Sequence, residues 1–232
     1  MKAFLLAAGL GTRLRPLTDT VPKCMIPING KPLIKWWCDL LLLHGVDQVL
    51  INTHYLSEQV RDFINIYNWE KTGLTLREFY ESMLLGSAGT IHANRSFIED
   101  DEYFFVCYAD NLTNINLTAM RSYHESHTGV LTMALFQTKK PEQCGIIKLD
   151  DSNCIIDFIE KPERPTSNLA NAGIYITRKE IFNYLQKDTA DFGKDVLPKL
   201  TGCMYGWESH DYLIDIGTIE NYKQAQLEWR YG

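Results

Sequence analysis

The stretch with the most evident chemistry is LAAGLGTRLRPLTDTVPK, residues 6–23, which follows a short apolar run at the start of the chain. Its glycines let the backbone approach a ligand closely, and successive backbone N–H groups after a strand form a concavity that binds anions. Arg13 can add bidentate recognition of a phosphate, and Arg15 and Lys23 raise the local density of cations. If the segment ended at Gly11, a plain glycine turn would explain it about equally well. The added cations favour a phosphate-binding loop.

Two familiar nucleotide-binding loops do not match this segment. A Walker loop requires the pattern GxxxxGK[ST], which is absent, and a dinucleotide fingerprint requires a third glycine where Leu14 stands. Pro16 and Pro22 stiffen the segment and so reduce the entropy that ordering it on a ligand would cost. The sequence therefore predicts a phosphate loop of another type.

Two aspartates follow apolar strand-like runs far from this loop in sequence. Asp110 ends the run EYFFVCYAD, and Asp215 begins the segment DIGT. Mg²⁺ is typically held by one or two carboxylates together with substrate phosphates. Either aspartate could equally be a helix N-cap or a turn residue, so the residues by themselves leave both interpretations open.

These side chains need a scaffold that brings them together. Strand-like runs at 1–7, 46–53 and 102–110 alternate with helix-like segments, for example at 31–45. This alternation over about the first 140 residues predicts a parallel sheet covered by helices. Ligands of such sheets bind outside the carboxyl ends of the strands, where the phosphate loop and Asp110 both lie.

The later part of the chain has a different pattern. Residues 145–165 predict a hairpin that turns at DDSN, NAGIYI predicts another strand, and a helix is expected from about Asp191 through Leu200. A further helix is expected at the C-terminus. There is no internal repeat or hexapeptide pattern, so we expect no β-helix acyltransferase domain.

Composition narrows the function classes. The chain has 232 residues, of which 45% are hydrophobic and 22% charged, with a net charge of −6. An acidic balance argues against nucleic acid or an anionic membrane as a partner. The six cysteines show no CxxC pair, and no apolar stretch is long enough to span a membrane. We therefore expect reduced thiols and a cytoplasmic location.

The motifs, taken together, resemble those of sugar-1-phosphate nucleotidyltransferases. The matching segments are LAAGLGTRLRPLT, the following PK and GKPLI, ESMLLGSAGT, the strand-end Asp110, GII, EKP, NAGIY and DIGT, in that order. SNLANAGIYI, DVLPKL and DIGTIENY look most like mannose-1-phosphate and D-glycero-D-manno-heptose-1-phosphate guanylyltransferases. The resemblance implies a Rossmann-like α/β fold with a mixed, mostly parallel sheet flanked by helices and a small sugar-binding lobe.

The resemblance covers nearly the whole chain and implies a single domain, 1–232. About 1–140 would bind the nucleotide, and about 141–232 would bind the sugar phosphate and include the C-terminal helix. The reaction implied joins a nucleoside triphosphate to a sugar 1-phosphate, with Mg²⁺, and releases pyrophosphate. GTP with mannose 1-phosphate or the heptose 1-phosphate is the leading pair.

Two alternatives stay open. Thymidylyl-, uridylyl- or cytidylyltransfer to glucose 1-phosphate or another phosphorylated acceptor is the first, since PKCM at 22–25 also occurs in cytidylyltransferases. The second is a non-catalytic relative that binds nucleotide sugars, although such chains typically lose the arginine, lysine or aspartates that are kept here.

The resemblance also implies a set of site residues. In the family pattern the matching arginine, lysine and aspartates are catalytic, and the aspartates hold the metal; Ala109 replaces the glycine that usually precedes the first aspartate. The catalytic set is Arg13, Lys23, Asp110 and Asp215, and the metal would bind Asp110 and Asp215. The nucleotide set is Leu6, Ala8, Gly9, Gly11, Thr12, Arg13, Glu81, Gly86, Ser87, Ala88 and Gly89. The sugar-phosphate set is Lys23, Asp110, Gly145, Glu160, Lys161, Asn171, Gly173 and Asp215.

Glu81 is the residue on which the choice of base depends. Guanine presents N1–H and N2–H₂ as adjacent donors, and one carboxylate can accept from both, whereas uracil and thymine suit an amide better. A solvated charge at the end of a strand is an equally good interpretation of Glu81 from the residues alone. We therefore expect guanine as a preference.

Two other pairs of residues are not expected to take part in catalysis or metal binding. His124 and His127 stand three apart in a predicted helix, a spacing that can bind metal, but no third ligand completes a set, so surface histidines are expected. Trp36 and Trp37 belong to a very apolar helix and are expected to pack in the core, with one ring at a candidate homodimer contact.

Overall fold

The computed structural model describes residues 1–66, 69–98 and 101–230. Its strands are β1 Lys2–Leu6, β2 Pro27–Ile28, β3 Lys31–Pro32, β4 Gln48–Thr53, β5 Thr75–Tyr80, β6 Tyr103–Tyr108, β7 Asn111–Thr113, β8 Leu131–Gln137, β9 Gly145–Leu149, β10 Ile155–Glu160, β11 Leu169–Arg178, β12 Met204–Glu208 and β13 Leu213–Asp215. Its α-helices are α1 Leu33–Leu43, α2 Ser57–Ile66, α3 Gly86–Ala93, α4 Leu117–Glu125 and α5 Ile219–Glu228.

The chain forms two compact units, each built from segments that are separated in sequence. The first unit comprises residues 1–84, 107–116 and 211–232, and the second comprises 85–106 and 117–210. Neither unit ends at a single boundary near residue 140. The functional division into a nucleotide part and a sugar part stays a prediction.

In the first unit a parallel sheet places loops at one edge. Strand β4 pairs in parallel with β1 on one side and with β5 on the other. Asn52 of β4 lies opposite Leu6 of β1 and opposite Phe79 of β5. Beyond β6, the Ala109 N–H donates to the Leu6 carbonyl over 3.0 Å, so the chain leaves β6 beside the end of β1. The predicted α/β class with a mixed, mostly parallel sheet is confirmed.

A separate apolar cluster in the first unit anchors the loops that follow the sheet. Its members come from the β1 loop, the β2–β3 hairpin, α1, β7 and α5, and they include Leu14, Ile28, Leu33, Leu112, Ile216 and Trp229. On α1, Trp37 is buried and its indole N–H donates to the Asn111 carbonyl over 2.7 Å, as expected for a core residue. Trp36 packs edge-to-face on Trp229 with ring centroids 5.3 Å apart.

The second unit contains a mixed sheet. Strand β8 pairs antiparallel with β11 and parallel with β12, and the β9–β10 hairpin adds through β11. The hairpin turn is the predicted one, and Asp150 Oδ1 accepts from the Ser152 and Cys154 N–H groups, both over 2.9 Å. The helix predicted from Asp191 through Leu200 is wrong in type: a π-helical turn Phe192–Val196 leads into a 3₁₀ turn Leu197–Leu200. Pro198 explains this, because it cannot donate in an α-helical interior.

Two expectations from composition can be checked over the described residues. All six cysteines are free, and Cys24, Cys38, Cys107 and Cys154 are buried. Burial raises the pKa of the Cys24 thiol to about 12, so this thiol stays protonated at neutral pH. Across the described ranges no helix has the length and apolar character needed to cross a bilayer.

Candidate active site

The loop after β1 is held in shape by contacts of its own residues. Gly11 has a φ of 63°, and a Cβ there would lie 2.8 Å from Thr18 Cγ2 and 3.2 Å from Lys23 Cβ, so only glycine fits. The Thr18 hydroxyl donates to the Gly11 carbonyl over 2.8 Å, and Leu14 is buried in the apolar cluster. Arg13 stays exposed. The loop therefore presents the Arg13 guanidinium at the surface.

The remaining loop residues divide between packing and open space. Leu6 and Ala8 are largely buried, and Thr12 begins the 3₁₀ turn that carries Arg13. A Cβ at Gly9 would meet no described atom within 4 Å. The backbone at Gly9 is thus the part of the loop with room beside it for a ligand.

Lys23 contacts both strand-end aspartates. Its Nζ lies 2.6 Å from Asp110 Oδ2 and 3.5 Å from Asp215 Oδ1, and the residue is only 9% exposed. The backbone explains why the aspartates meet, because β13 pairs with β7 with Asp215 opposite Asn111. The Ile216 N–H also donates to the Asp110 carbonyl over 2.8 Å. The predicted catalytic lysine and the predicted metal ligands therefore form one cluster.

The surroundings of Asp215 disfavour its ionised form. Burial raises the pKa of Asp215, and the nearby Asp110 raises it further, while Lys23 and Arg13 act in the opposite direction. The carboxylate is thus held in a position where additional positive charge would stabilise its ionised form.

Gly217 is a site residue that the sequence analysis did not single out. A Cβ at this position would lie 2.5 Å from Asp215 Oδ2 and 3.0 Å from Arg13 Nη2. The carboxylate and the guanidinium therefore converge on the bare Cα of Gly217. The signal was present in the DIGT motif, which was interpreted only through its aspartate.

The residues fit a magnesium ion that is shared with a substrate. The described part of the chain contains no group of three or more histidine, cysteine or acidic side chains that could enclose a metal. Asp110 and Asp215 nevertheless place two carboxylates around one point. The ammonium group of Lys23 contacts both of them there. This donor set suits Mg²⁺, because Mg²⁺ usually keeps waters and takes its remaining ligands from substrate phosphates.

Glu81 is not a solvated charge, so that interpretation is wrong. The residue is 2% exposed, and its Oε1 accepts from Asn52 Nδ2 over 2.9 Å. Its backbone N–H donates to the Thr53 carbonyl over 2.8 Å, and its carbonyl lies 2.7 Å from His54 Nδ1. Asn52 was missed by the sequence analysis, where the only signal was an amide that directly follows the apolar run VLI in the strand QVLINT.

Residues 86–89, predicted as a small-residue loop, instead form the first turn of α3 in the second unit, and packing explains their composition. Gly86 has a φ of 76°, and a Cβ there would strike the Ala190 carbonyl. The Ala88 N–H donates to that carbonyl over 2.9 Å, and Ser87 Oγ accepts from the Phe192 N–H over 2.8 Å. A Cβ at Gly89 would lie 3.1 Å from Leu85 Cβ. These residues are small because the start of α3 packs against residues 190–192.

The predicted sugar-side residues lie in the second unit and make local contacts. Gly145 and Glu160 face each other across the β9–β10 hairpin, and a Cβ at Gly145 would lie 2.8 Å from Glu160 Oε2. Lys161 has a φ of 49°, and its Nζ lies 3.6 Å from Glu160 Oε1. Its side chain is 62% exposed.

Asn171 is engaged within its own strand. Its Oδ1 accepts from the Gly173 N–H over 2.9 Å and its Nδ2 donates to the Tyr175 hydroxyl over 2.6 Å. The β8–β11 register shifts between Asn171 and Tyr175, and Gly173 there has a φ of 69°. The amide therefore stabilises a bulge, and Tyr175 is a partner that the sequence did not indicate.

The expectation of surface histidines is wrong for His124. This residue is 0% exposed, and its Nδ1 lies 2.8 Å from Thr132 Oγ1, which also lies 2.8 Å from His127 Nε2. The Gly129 N–H donates to His127 Nδ1, so His127 Nε2 carries the proton and donates to the hydroxyl. Burial, with smaller contributions from Arg178 and His127, lowers the pKa of His124 to about 3. The end of α4 faces β8, which the spacing alone did not show.

Two curated proteins named as nucleotidyltransferases are similar to this chain in sequence. A uridylyltransferase from Synechocystis, named UTP–glucose-1-phosphate uridylyltransferase, is 33% identical over 97% of this chain. The catalytic subunit beta of mannose-1-phosphate guanylyltransferase from Dictyostelium discoideum is 28% identical over 96% of it. The chain spans 62% of the length of each of these two relatives.

A solved structure matches over the full length. HddC from Yersinia pseudotuberculosis, complexed with GMP-PN, superposes with a TM-score of 0.81 at 26% identity and covers 99% of both chains. The sequence profile of the nucleotidyl transferase family matches residues 2–230. The chain therefore belongs to the nucleotidyl transferase family.

Proposed function

We propose that this chain transfers a nucleotidyl group from a nucleoside triphosphate to a sugar 1-phosphate and releases pyrophosphate. The observation that supports this most directly is the contact of Lys23 with both Asp110 and Asp215 beside the exposed Arg13. Both substrates are anions, so their approach needs fixed positive charge and in-line positioning. The named activities of the relatives are of the same class.

The proposed roles follow the charges. An oxygen of the sugar phosphate attacks the α-phosphorus, the α–β phosphoanhydride bond breaks, and pyrophosphate leaves with the electron pair. Arg13 stabilises the triphosphate and the leaving group, and Lys23 neutralises charge between the two reacting phosphates. A sugar phosphate is already ionised near neutral pH, so the attacking oxygen needs no general base.

Mg²⁺ is the proposed cofactor, held by Asp110 and Asp215. When bound, it would neutralise phosphate charge and help align the reactants. Lys23 currently satisfies both carboxylates, so it is a residue whose contacts must change when a divalent ion and phosphates are accommodated.

GTP with mannose 1-phosphate or D-glycero-D-manno-heptose 1-phosphate is the pair that we favour. The guanylyltransferase among the relatives and the guanine nucleotide in the HddC complex support it. Within the chain, a carboxylate at Glu81 suits the adjacent donors of guanine, and its ordered setting beside Asn52 fits a recognition role. Residues 86–89, at the start of α3, are the second proposed contact to the base.

On the acceptor side, Lys161 is proposed to pair with the sugar phosphate, and Glu160 and Asn171 with hydroxyl groups. Gly145 and Gly173 would let the backbone approach the ring. The named activity of the Synechocystis relative supports uridylyltransfer as the second candidate. A cytoplasmic location is proposed because all six cysteines are free.

A substrate panel tests the proposal. Five nucleoside triphosphates are each combined with common sugar 1-phosphates and Mg²⁺, and pyrophosphate release is measured. We expect the highest kcat/KM with GTP and mannose 1-phosphate or the heptose 1-phosphate, and loss of turnover with Asp110→Asn. If no pair gave metal-dependent release of pyrophosphate, the enzymatic assignment would be overturned. The remaining hypothesis would then be a non-catalytic relative that binds nucleotide sugars.

A further inference from the structure

Asn52 connects two segments that the proposed function assigns to the nucleotide. It is the next-to-last residue of β4, which pairs with both β1 and β5, and it is 4% exposed. Its Oδ1 accepts from the Ala7 N–H over 2.6 Å, at the start of the phosphate loop. Its Nδ2 donates to Glu81 Oε1 over 2.9 Å. One side chain thus bridges the loop and the carboxylate.

The chemistry of this bridge suits an amide. The Ala7 N–H needs an acceptor and the Glu81 carboxylate needs a donor, and the side chain of asparagine offers both from one planar group. Aspartate at position 52 would keep the first contact but bring a second carboxylate against Glu81. Leucine, of similar size, would leave both polar groups without this partner in a buried setting, which is costly.

The backbone of Glu81 is already fixed on both sides. Its N–H donates to the Thr53 carbonyl, and its carbonyl lies within hydrogen-bond distance of His54 Nδ1. The Asn52 contact adds a restraint on the side-chain torsions of Glu81. A carboxylate held in one orientation can discriminate between donor patterns, whereas a freely rotating one cannot.

We propose that Asn52 is a positioning residue for base selection, which fixes Glu81 and the start of the phosphate loop in a common geometry. This inference rests on the proposed function of the chain as a nucleotidyltransferase. Asn52 itself need not touch the base.

Three variants test the inference in the full chain. We expect Asn52→Leu to raise the KM for GTP about tenfold to a hundredfold and to reduce the preference for GTP over UTP about tenfold. The KM for the sugar 1-phosphate should stay within about twofold. Asn52→Asp should weaken GTP binding in the same direction, because two carboxylates then face each other.

The double variant Asn52→Asp/Glu81→Gln provides the rescue. It exchanges donor and acceptor across the bridge and keeps an acceptor for the Ala7 N–H, so the KM for UTP should fall below that of Asn52→Asp, while the KM for GTP stays raised because the carboxylate is gone. An amide then faces the base, so the preference should move toward UTP or dTTP. If Asn52 had only a structural role, the double variant would regain thermal stability without this change in base preference.

Thr53→Val is the matched control. It removes an equally buried polar group from the same strand, one that donates to Glu78 and contacts neither Ala7 nor Glu81 through its side chain. It should lower thermal stability and leave the GTP to UTP ratio unchanged. If Asn52→Leu behaves like Thr53→Val, with stability reduced but KM and base preference retained, the inference is overturned.

Failure of the proposed function is separable from failure of this inference. If the wild-type chain releases pyrophosphate while Asn52→Leu keeps its base preference, only the inference is lost. If the wild-type chain shows no turnover, calorimetric titration with GTP and UTP replaces the kinetic readout. Weaker GTP binding by Asn52→Leu and Asn52→Asp than by the wild-type chain would support the inference. Equal affinities, or no binding by the wild-type chain, would overturn it.

Discussion

The two units hold their proposed functional residues in different ways. In the first unit, Lys23 meets Asp110 and Asp215 across sequence separations of 87 and 192 residues. In the second unit, Glu160 lies against its neighbour Lys161 and its hairpin partner Gly145, and Asn171 bonds residues two and four positions away. The first arrangement depends on the tertiary fold, and the second on local turns and strand pairs.

This difference matches the demands of the two tasks. Charge that develops in a transition state is stabilised best by groups whose positions are fixed in advance. Recognition of a hydroxylated ring relies more on hydrogen bonds that can adjust. Substitutions in the cluster of Lys23, Asp110 and Asp215 should therefore mainly reduce kcat, and those at the proposed sugar-side residues of the second unit should mainly raise the KM for the sugar phosphate.

The largest effect is expected from Lys23→Ala. Removing the ammonium leaves two close carboxylates uncompensated and removes positive charge from the reacting phosphates, so kcat/KM should fall about a thousandfold. The dependence of the initial rate of pyrophosphate release on GTP concentration, with the sugar phosphate held at saturation, measures it. Lys199→Ala, at an exposed position of the second unit, is the control and should keep full turnover. A loss of less than tenfold for Lys23→Ala would contradict the central role given to this cluster.

The next effect tests whether fixed geometry matters in the first unit. In Gly217→Ala the added methyl group would press on Asp215 and Arg13, and kcat should fall about tenfold to a hundredfold. Thr218→Ser is the neighbouring control, because it keeps the hydroxyl that accepts from the Asn221 N–H and caps α5. Circular dichroism confirms folding of both variants, and unchanged kcat in folded Gly217→Ala would refute the convergence argument.

A smaller and different effect is expected in the second unit. Lys161→Ala should raise the KM for the sugar 1-phosphate about tenfold, with kcat nearly unchanged, because one exposed cation is lost from an adjustable contact. Lys148→Ala, on an exposed position of β9, serves as the control. Initial-rate kinetics with GTP held at saturation separate the two parameters. A fall in kcat comparable to that of Lys23→Ala would erase the distinction between the units.

The smallest effect concerns stability of the second unit and its buried histidine. His124 is neutral when folded, with its pKa lowered to about 3 by burial, but is protonated below about pH 6.5 when unfolded. The unfolded state therefore binds more protons in this window, and the free energy of unfolding should fall by up to about 1 kcal/mol per pH unit as pH decreases from 6 to 4.

The burial and nearby Arg178 also lower the pKa of His127, which adds to the trend. Urea denaturation at several pH values, compared with the variant His124→Gln, measures the contribution of His124. Parallel pH profiles for the two proteins would show that His124 does not titrate as its burial requires.

The parts of the site that the sequence predicted share one property. The phosphate loop, Asp110 and Asp215 lie at or close to the ends of strands, so local pattern and the family resemblance indicate them without knowledge of tertiary contacts. Asn52 and Gly217 were missed because their importance arises from distant partners, Glu81 and Arg13. A single amide in an apolar strand, or a glycine in a turn, carries little signal alone.

The incorrect expectations have the same cause. A helix pattern gives the spacing of His124 and His127 but not the strand against which the helix packs. A glutamate after an alternating strand is usually solvated, and only the fold shows that Asn52 turns Glu81 inward. Pairing of β7 with β13, which joins the two aspartates, is equally invisible to local pattern.

That pairing of β7 with β13 also sets the order of assembly. The second unit occupies most of the chain between Asn116 and Asp211, so the segment carrying Asp215 is synthesised after it and must close a very long loop to reach Lys23. Loop closure of this length is slow relative to local hairpins and helices. During refolding, the proposed activity should therefore appear later than secondary structure. The time at which pyrophosphate release recovers would report when the contact of Lys23 with Asp215 forms.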